Sequence, residues 1–313
     1  MAESWHSIVD DEIGHVDDVM KMEVRSAYPE LNRMCEDTLS SRYHSVRPAL
    51  CILSYHANGG KDVETAVNTA SCLESVFEGL HLHDRINSNG EVTGRKKIFS
   101  KAPSTTKIIV AGDFMYVMGF RLAYGKVPKV VPYLMQASAS ISDAIFKITD
   151  NEHNPDISEE DCLYILKGKS AIEYQILMEC AAEQAGAPED VRARMRECGM
   201  QIGMALQLES ELEDMFGSDS NLDTFSAGYP TLLVYYSMKD QLYGQKIKNL
   251  FSCQDMDRRD AEHAAKMIAK TDAQDRCKKI IADCFSRASE LIDGLSDSDY
   301  KRSLKAFLGS VQL

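Results

Sequence analysis

Four polar side chains of this 313-residue chain, Gln207, Ser210, Glu211 and Asp214, fall at i, i+3, i+4 and i+7. On a helix that spacing gathers them on one surface. An amide, a hydroxyl and two carboxylates so placed can hold Mg2+ against a phosphorylated ligand, because hard cations take oxygen ligands and keep several waters. A solvated helix face produces the same pattern. A second place is Leu82-His83-Asp84-Arg85-Ile86-Asn87-Ser88, where an apolar stretch gives way to charge. His81 and His83 also stand two apart there, but on a helix they point about 200° apart and do not form a pair.

These residues need helices to position them. Val63, Val67, Ala70, Leu73, Phe77, Leu80 and Asp84 are spaced 4, 3, 3, 4, 3 and 4 apart, a helical stripe that Asp84 continues. Ser158 followed by Glu159, Glu160 and Asp161 reads as an N-cap with an acidic first turn, opening one long helix to about residue 185. Pro188 opens another, to about residue 216, with Met204, Leu208 and Leu212 opposite the polar face. Further helices are expected at about 231–249, 258–270, 272–293 and 298–311, with residues 86–106 as a long polar loop. Only 107–110 has strand character. The fold class expected is therefore all-α, a bundle of about ten or more helices in a single domain over residues 1–313.

Composition narrows the functions. Lys and Arg number 35 against 48 Asp and Glu, a net charge of −13. That surplus argues against nucleic acid as a partner and against anionic membrane surfaces, both of which recruit clustered cations. The longest apolar stretch, 107–120, is interrupted by Asp113, so no transmembrane segment is expected. The acidic start shows no secretory signal, and nine scattered cysteines without a Cys-x-x-Cys pair suit a reducing compartment. A cytoplasmic chain follows.

Several segments occur in an order that resembles the trans-isoprenyl diphosphate synthases of the polyprenyl synthetase family. Arg47-Pro48-Ala49-Leu50 stands where that family has Gly-Lys-Arg-Leu-Arg-Pro, and Leu73-Glu74 through Asp84 where a helix ends in its first aspartate-rich motif. Ala111-Gly112-Asp113 opens the next helix, Lys169-Ser170 resembles a Lys-Thr pair, and residues 203–214 resemble the helix of the second motif. Gly228-Tyr229-Pro230-Thr231 resembles the following Gly-Lys-Pro-Thr. The resemblance implies an isoprenoid-synthase-type bundle around a central cavity, usually dimeric. It also implies a reaction in which Mg2+ on both motifs helps an allylic diphosphate leave before isopentenyl diphosphate captures the carbocation.

The departures from this pattern carry as much information. Asp-Asp-x-x-Asp reads Asp84-Arg85-Ile86-Asn87-Ser88, and the second motif reads Ser210-Glu211-Leu212-Glu213-Asp214, so Asp84 and Asp214 alone remain of six aspartates. Of the groups that grip the diphosphates only Arg47 is unchanged; His44, Phe77 and Thr93-Gly94 hold the other places, with Arg95, Lys96 and Lys97 following, and Tyr229 replaces a Lys. The site residues expected are thus Lys169 and Gln207 for catalysis. Arg47, Arg95, Lys169, Ser170 and Gln207 are expected for substrate, and Asp84, Glu211 and Asp214 for metal, with Mg2+ binding reduced or lost. Each preorganised group removed typically costs about 10²–10³ in rate.

Two main readings follow. One is a catalytically impaired structural or regulatory subunit, as a homodimer or a heteromer with an active prenyl synthase. The other is an active prenyltransferase acting on a prenyl diphosphate with an altered metal count. A distant third is an HD-type phosphohydrolase built on His56, His83-Asp84 and Asp113. Gly79, five residues before Asp84, reads either as space for a long prenyl chain or as helix packing; Phe114, Tyr116 and Phe120 read as cavity lining or core.

Overall fold

The computed structural model describes residues 4–40, 46–86, 90, 92, 103–217, 220 and 222–311. The chain is all-α. In order the helices are α1 (Asp10–Glu23), α2 (Pro29–Leu39), α3 (Val46–Ala57), α4 (Val63–His83), α5 (Thr105–Lys126), α6 (Val131–Thr149), α7 (Glu159–Ile165), α8 (Ile172–Gln184), α9 (Glu189–Phe216), α10 (Asp223–Ser226), α11 (Leu232–Met238), α12 (Gly244–Phe251), α13 (Arg258–Ile268), α14 (Ala273–Asp293) and α15 (Asp299–Ser310). Among the described residues the only extended pairing is an isolated bridge between Ile86 and Val92. The chain divides into two compact units, one of Met1–Ala137, Glu173–Gly199 and Ala288–Leu313, the other of Ser138–Ile172 and Met200–Arg287.

In the first unit α4 is the central helix, packed against α5, α1 and α3. Asp62 caps it by accepting from the Thr65 amide, and every residue from 66 to 79 is buried. The expected one-faced stripe is therefore only part of its buried surface, and Val63, at its start, is exposed. Contact with α5 is close because glycines meet there: a Cβ at Gly79 would stand 2.7 Å from the Gly112 carbonyl oxygen and 2.9 Å from the Tyr116 nitrogen. Gly79 thus serves helix packing. Residues 107–110 lie inside α5 rather than in a strand. Ser104 caps that helix, and Ile108, Ala111, Gly112, Met115, Gly119 and Leu122 form its buried face, so helical packing overrides the β-branched run. Phe114, Tyr116 and Phe120 lie half-exposed on α5 and are not core.

In the second unit Ser158 caps α7 through the Asp161 amide, as expected. The long helix to residue 184 contains one turn of π-helix, Leu166–Ala171, between α7 and α8. The helix expected at 231–249 is two helices. Asp240 ends the first, its Oδ1 accepting from the Leu242 and Tyr243 amides, a local bond that competes with helix continuation. Gly228 adopts φ +69° against His153, itself at φ +58°; a Cβ on Gly228 would meet the His153 ring at 2.5 Å. The His153 amide donates to the Gly228 carbonyl at 2.9 Å, tying the segment before α11 to the loop before α7.

All nine cysteines are free, and eight are buried. Gly79→Ala should force α4 and α5 apart and destabilise the chain by about 1–3 kcal/mol, the usual cost of overpacking. Gly125→Ala, with open space around its Cβ, is the control; equal denaturation midpoints for the two variants would refute the packing role.

Candidate functional site

The expected site residues fall into both units, and each group is built separately. In the second unit Gln207, Glu211 and Asp214 line one face of α9, while Ser210 is exposed and turned from that line. Gln207 Nε2 donates to Glu211 Oε1 at 3.1 Å. Glu211 Oε2 is buried with no hydrogen-bond partner among the described residues. Desolvation lifts the Glu211 carboxyl to about 7, with Asp214 adding to the rise, against the pull of Gln207 and the nearby Lys169 charge. Asp214 Oδ2 accepts from the Thr224 amide at 3.3 Å.

Lys169 and Ser170 sit in the π-turn, an irregularity frequent at functional positions because it re-aims side chains. The Lys169 ammonium lies 5.7 Å from the centre of the Tyr229 ring, within cation–π range. Tyr229 thus contacts Lys169 from the position where the resemblance expects a second lysine. The orphaned Glu211 oxygen, Asp214 and the Gln207 amide suit one hydrated Mg2+ on this face. Among the described residues no three His, Cys, Asp or Glu side chains converge as a metal cage.

In the first unit Asp84 is the C-cap of α4, its amide bonded to the Leu80 and Leu82 carbonyls. Arg85 beside it is pulled below its usual value by burial, with Glu78 acting in the opposite sense. His44, Asn87, Ser88, Thr93, Gly94, Arg95, Lys96 and Lys97 lie outside the described residues.

Arg47, second residue of α3, is held by three carboxylates. Its Nε and Nη2 donate to both oxygens of Glu74 at 2.7 and 2.9 Å, Nη2 also to Glu78 Oε1 at 2.5 Å, and Nη1 to Glu173 Oε2 at 3.0 Å. The guanidinium lies 5.9 Å from the Phe77 ring centre, and its side chain is 11% exposed. Glu173 Oε1 also accepts from His81 Nε2 at 2.6 Å. Burial opposes the charge on His81, but Glu173 and Glu78 overcome it and lift the imidazole to about 10. Burial likewise opposes ionisation of Glu173, and His81 with Arg47 holds its carboxyl below the usual value. Burial again opposes the charge on Arg47, which the three carboxylates keep well above its ordinary value. Among the described residues these ion pairs join three carboxylates to two cations, Arg47 and His81, and Arg85 also senses Glu78.

Sequence reasoning singled out Arg47 and missed its partners. The signal was present: Glu74, Glu78 and His81 are ionisable residues at i, i+4 and i+7 in the helix that carries the apolar stripe, and buried charges require partners. The other histidines divide differently. His83 Nε2 lies 3.2 Å from the Ile109 carbonyl and 3.3 Å from Asp113 Oδ1. His56 commits Nδ1 to the Gly60 carbonyl and Nε2 to Glu12, and stacks on Tyr300.

Fold and site together define a helical protein with a carboxylate–amide face beside a lysine-bearing π-turn. The polyprenyl synthetase family model matches residues 28–268, and the chain belongs to that family. Octaprenyl diphosphate synthase of Escherichia coli (strain K12) is 24% identical over 200 residues, 62% of this chain; the chain spans 61% of that relative's length. Heptaprenyl diphosphate synthase component 2 of Geobacillus stearothermophilus is 22% identical over 317 residues, covering 98% of each chain. A decaprenyl diphosphate synthase structure from Rhodobacter capsulatus superposes with a TM-score of 0.87 at 19% identity, over 98% of this chain and 97% of that one. That likeness establishes the fold.

The ion cluster sets a pH window. With the folded His81 at about 10 against 6.5 unperturbed, its contribution is complete below 6.5 and disappears as pH rises through 10. Glu173, depressed from 4.5, contributes fully above 4.5 and loses its contribution as pH falls through its folded value. Wild type should therefore lose stability relative to His81→Gln between pH 6.5 and 10, read from urea midpoints; a constant difference would refute the assignment.

Proposed function

We propose that the chain is a catalytically impaired member of its family that serves as a structural or regulatory subunit of a prenyl synthase. The engagement of Arg47 carries this reading: the only unchanged member of the expected diphosphate grip spends four hydrogen bonds on carboxylates of its own chain. A diphosphate carries roughly three negative charges, and bringing it beside three buried carboxylates is strongly unfavourable. Arg85, in place of a metal-binding aspartate, adds repulsion toward Mg2+. Binding of Mg2+ is accordingly reduced and confined to Glu211 and Asp214, with Asp84 contributing little.

The subunit role draws on α5. This helix is long and apolar enough to cross a membrane by length and composition, yet only 39% of that window is buried. Val110, Val117 and Tyr124, seven residues apart, are 51%, 54% and 79% exposed. Exposed apolar residues repeated at this spacing, interrupted by Arg121, mark an interaction surface. A second chain of the same fold, in a homodimer or preferably a heteromer with an active prenyl synthase, is the partner proposed. The relative named as component 2 of a heptaprenyl synthase supports that choice. Nine free cysteines agree with the cytoplasm as its place.

A second reading rests on Glu211, whose buried unpartnered oxygen stands near Lys169: an active prenyltransferase on a prenyl diphosphate, with Gln207 and Lys169 as catalytic groups and Ser170 and Arg95 contacting substrate. The purified chain with Mg2+, isopentenyl diphosphate and allylic diphosphates of several lengths should give negligible product. Turnover of about one per second would establish the second reading, and Glu211→Ala and Asp214→Ala should then abolish it. Val117→Asp should break co-purification with a prenyl synthase carrying intact aspartate-rich motifs; recovery of the wild type without any such partner would refute the heteromer.

A further inference from the structure

A desolvated guanidinium in the first turn of a helix, linked to a protonated imidazole, has the make-up of an oxyanion site. It offers planar donors for bidentate binding, a second cation, and the positive end of the helix dipole. Arg47 and His81 meet this description, and the oxyanions present are side chains. Glu173 bridges the two cations, Oε2 accepting from Arg47 and Oε1 from His81, as a bound phosphoryl group would. Glu74 takes the Nε/Nη2 edge of the guanidinium and is 1% exposed, so it is the structural member. Glu78 and Glu173 each make one bond to Arg47.

We propose that Glu78 and Glu173 are specificity-determining residues: they occupy the Arg47 pocket as internal oxyanions, exclude phosphate-bearing ligands, and leave a pyrophosphate site when neutralised. The proposal deepens the impaired-subunit reading and rests on it. The charge balance supports it. Glutamine at both positions keeps amides of similar size beside Arg47 and removes two of the three negative charges that its donors meet. Among the described residues the other titratable groups that sense the cluster are Cys51 from α3, Arg85 from the end of α4 and Tyr174 from α8. None supplies a replacement anion at the Nη1 and Nη2 donors, and Glu74 already holds its own edge.

The test is titration of the full-length chain with inorganic pyrophosphate, free of divalent cations, at pH 6.0 and 7.5. In wild type the Arg47 Nε–H resonance, held by Glu74, should not move, and calorimetry should show no Arg47-dependent binding. A saturable shift in wild type would overturn the proposal without any variant. Glu78→Gln should raise affinity, and Glu78→Gln/Glu173→Gln should raise it further, by about ten- to a hundredfold over wild type, more at pH 6.0. Adding Arg47→Lys, which keeps the charge and loses the planar fork, should reverse most of the gain. A double variant that unfolds cooperatively but binds no more tightly than wild type would also overturn it; should that variant not fold, Glu78→Gln alone decides. Turnover by wild type would defeat the subunit reading and leave this result separate, because an active chain whose Arg47 signal ignores pyrophosphate must bind its substrate through other groups.

Discussion

The buried ion cluster around Arg47 is the constraint on which the first unit depends. A guanidinium removed from water is tolerated only with its donors satisfied, and removing one partner of such a pair typically costs about 3–5 kcal/mol. Satisfying it requires α3, α4 and α8 to bring Arg47, Glu74, Glu78 and Glu173 within hydrogen-bond reach. That demand fixes the rotation of α4, whose remaining buried positions must then accept α1, α3 and α5. Glycines at 79 and 112 let α5 approach at backbone distance.

The second unit places its polar face by backbone irregularity. A π-turn carries Lys169 and Ser170, and positive φ at His153 and Gly228 brings the segment holding Tyr229 beside Lys169. Among the described residues one Glu211 oxygen has no partner, and its carboxyl is raised to about 7. Such a group binds cations more weakly at neutral pH than an aspartate of ordinary acidity, since proton and metal compete for it. The unit therefore presents a carboxylate–amide face beside a lysine-bearing turn.

Charge distribution links both units. The surplus of thirteen negative charges weighs against a phosphate-backbone partner. Where local charge governs function, three glutamates enclose Arg47 and Arg85 follows Asp84. Net acidity is thus a property of the whole surface, and what each site can hold depends on which side chains meet inside it.

Helical periodicity, the Ser158 cap and the spacing of polar residues on α9 were legible in the sequence because they depend on neighbours three or four residues away. So was the family, from the order of Arg47-Pro48, Asp84, Lys169-Ser170 and Gly228-Tyr229-Pro230-Thr231 along the chain. The break at Asp240, the π-turn and the helical state of 107–110 were not, since a side-chain bond or tertiary packing decided each against local propensity. The meeting of Arg47 with Glu173, 126 positions later, was least legible of all. The sequence by itself determined that Arg47 is present and that α4 carries charge. Only the tertiary structure decided that those charges meet, because electrostatic pairing depends on distance in space and burial, and neither is encoded in local spacing.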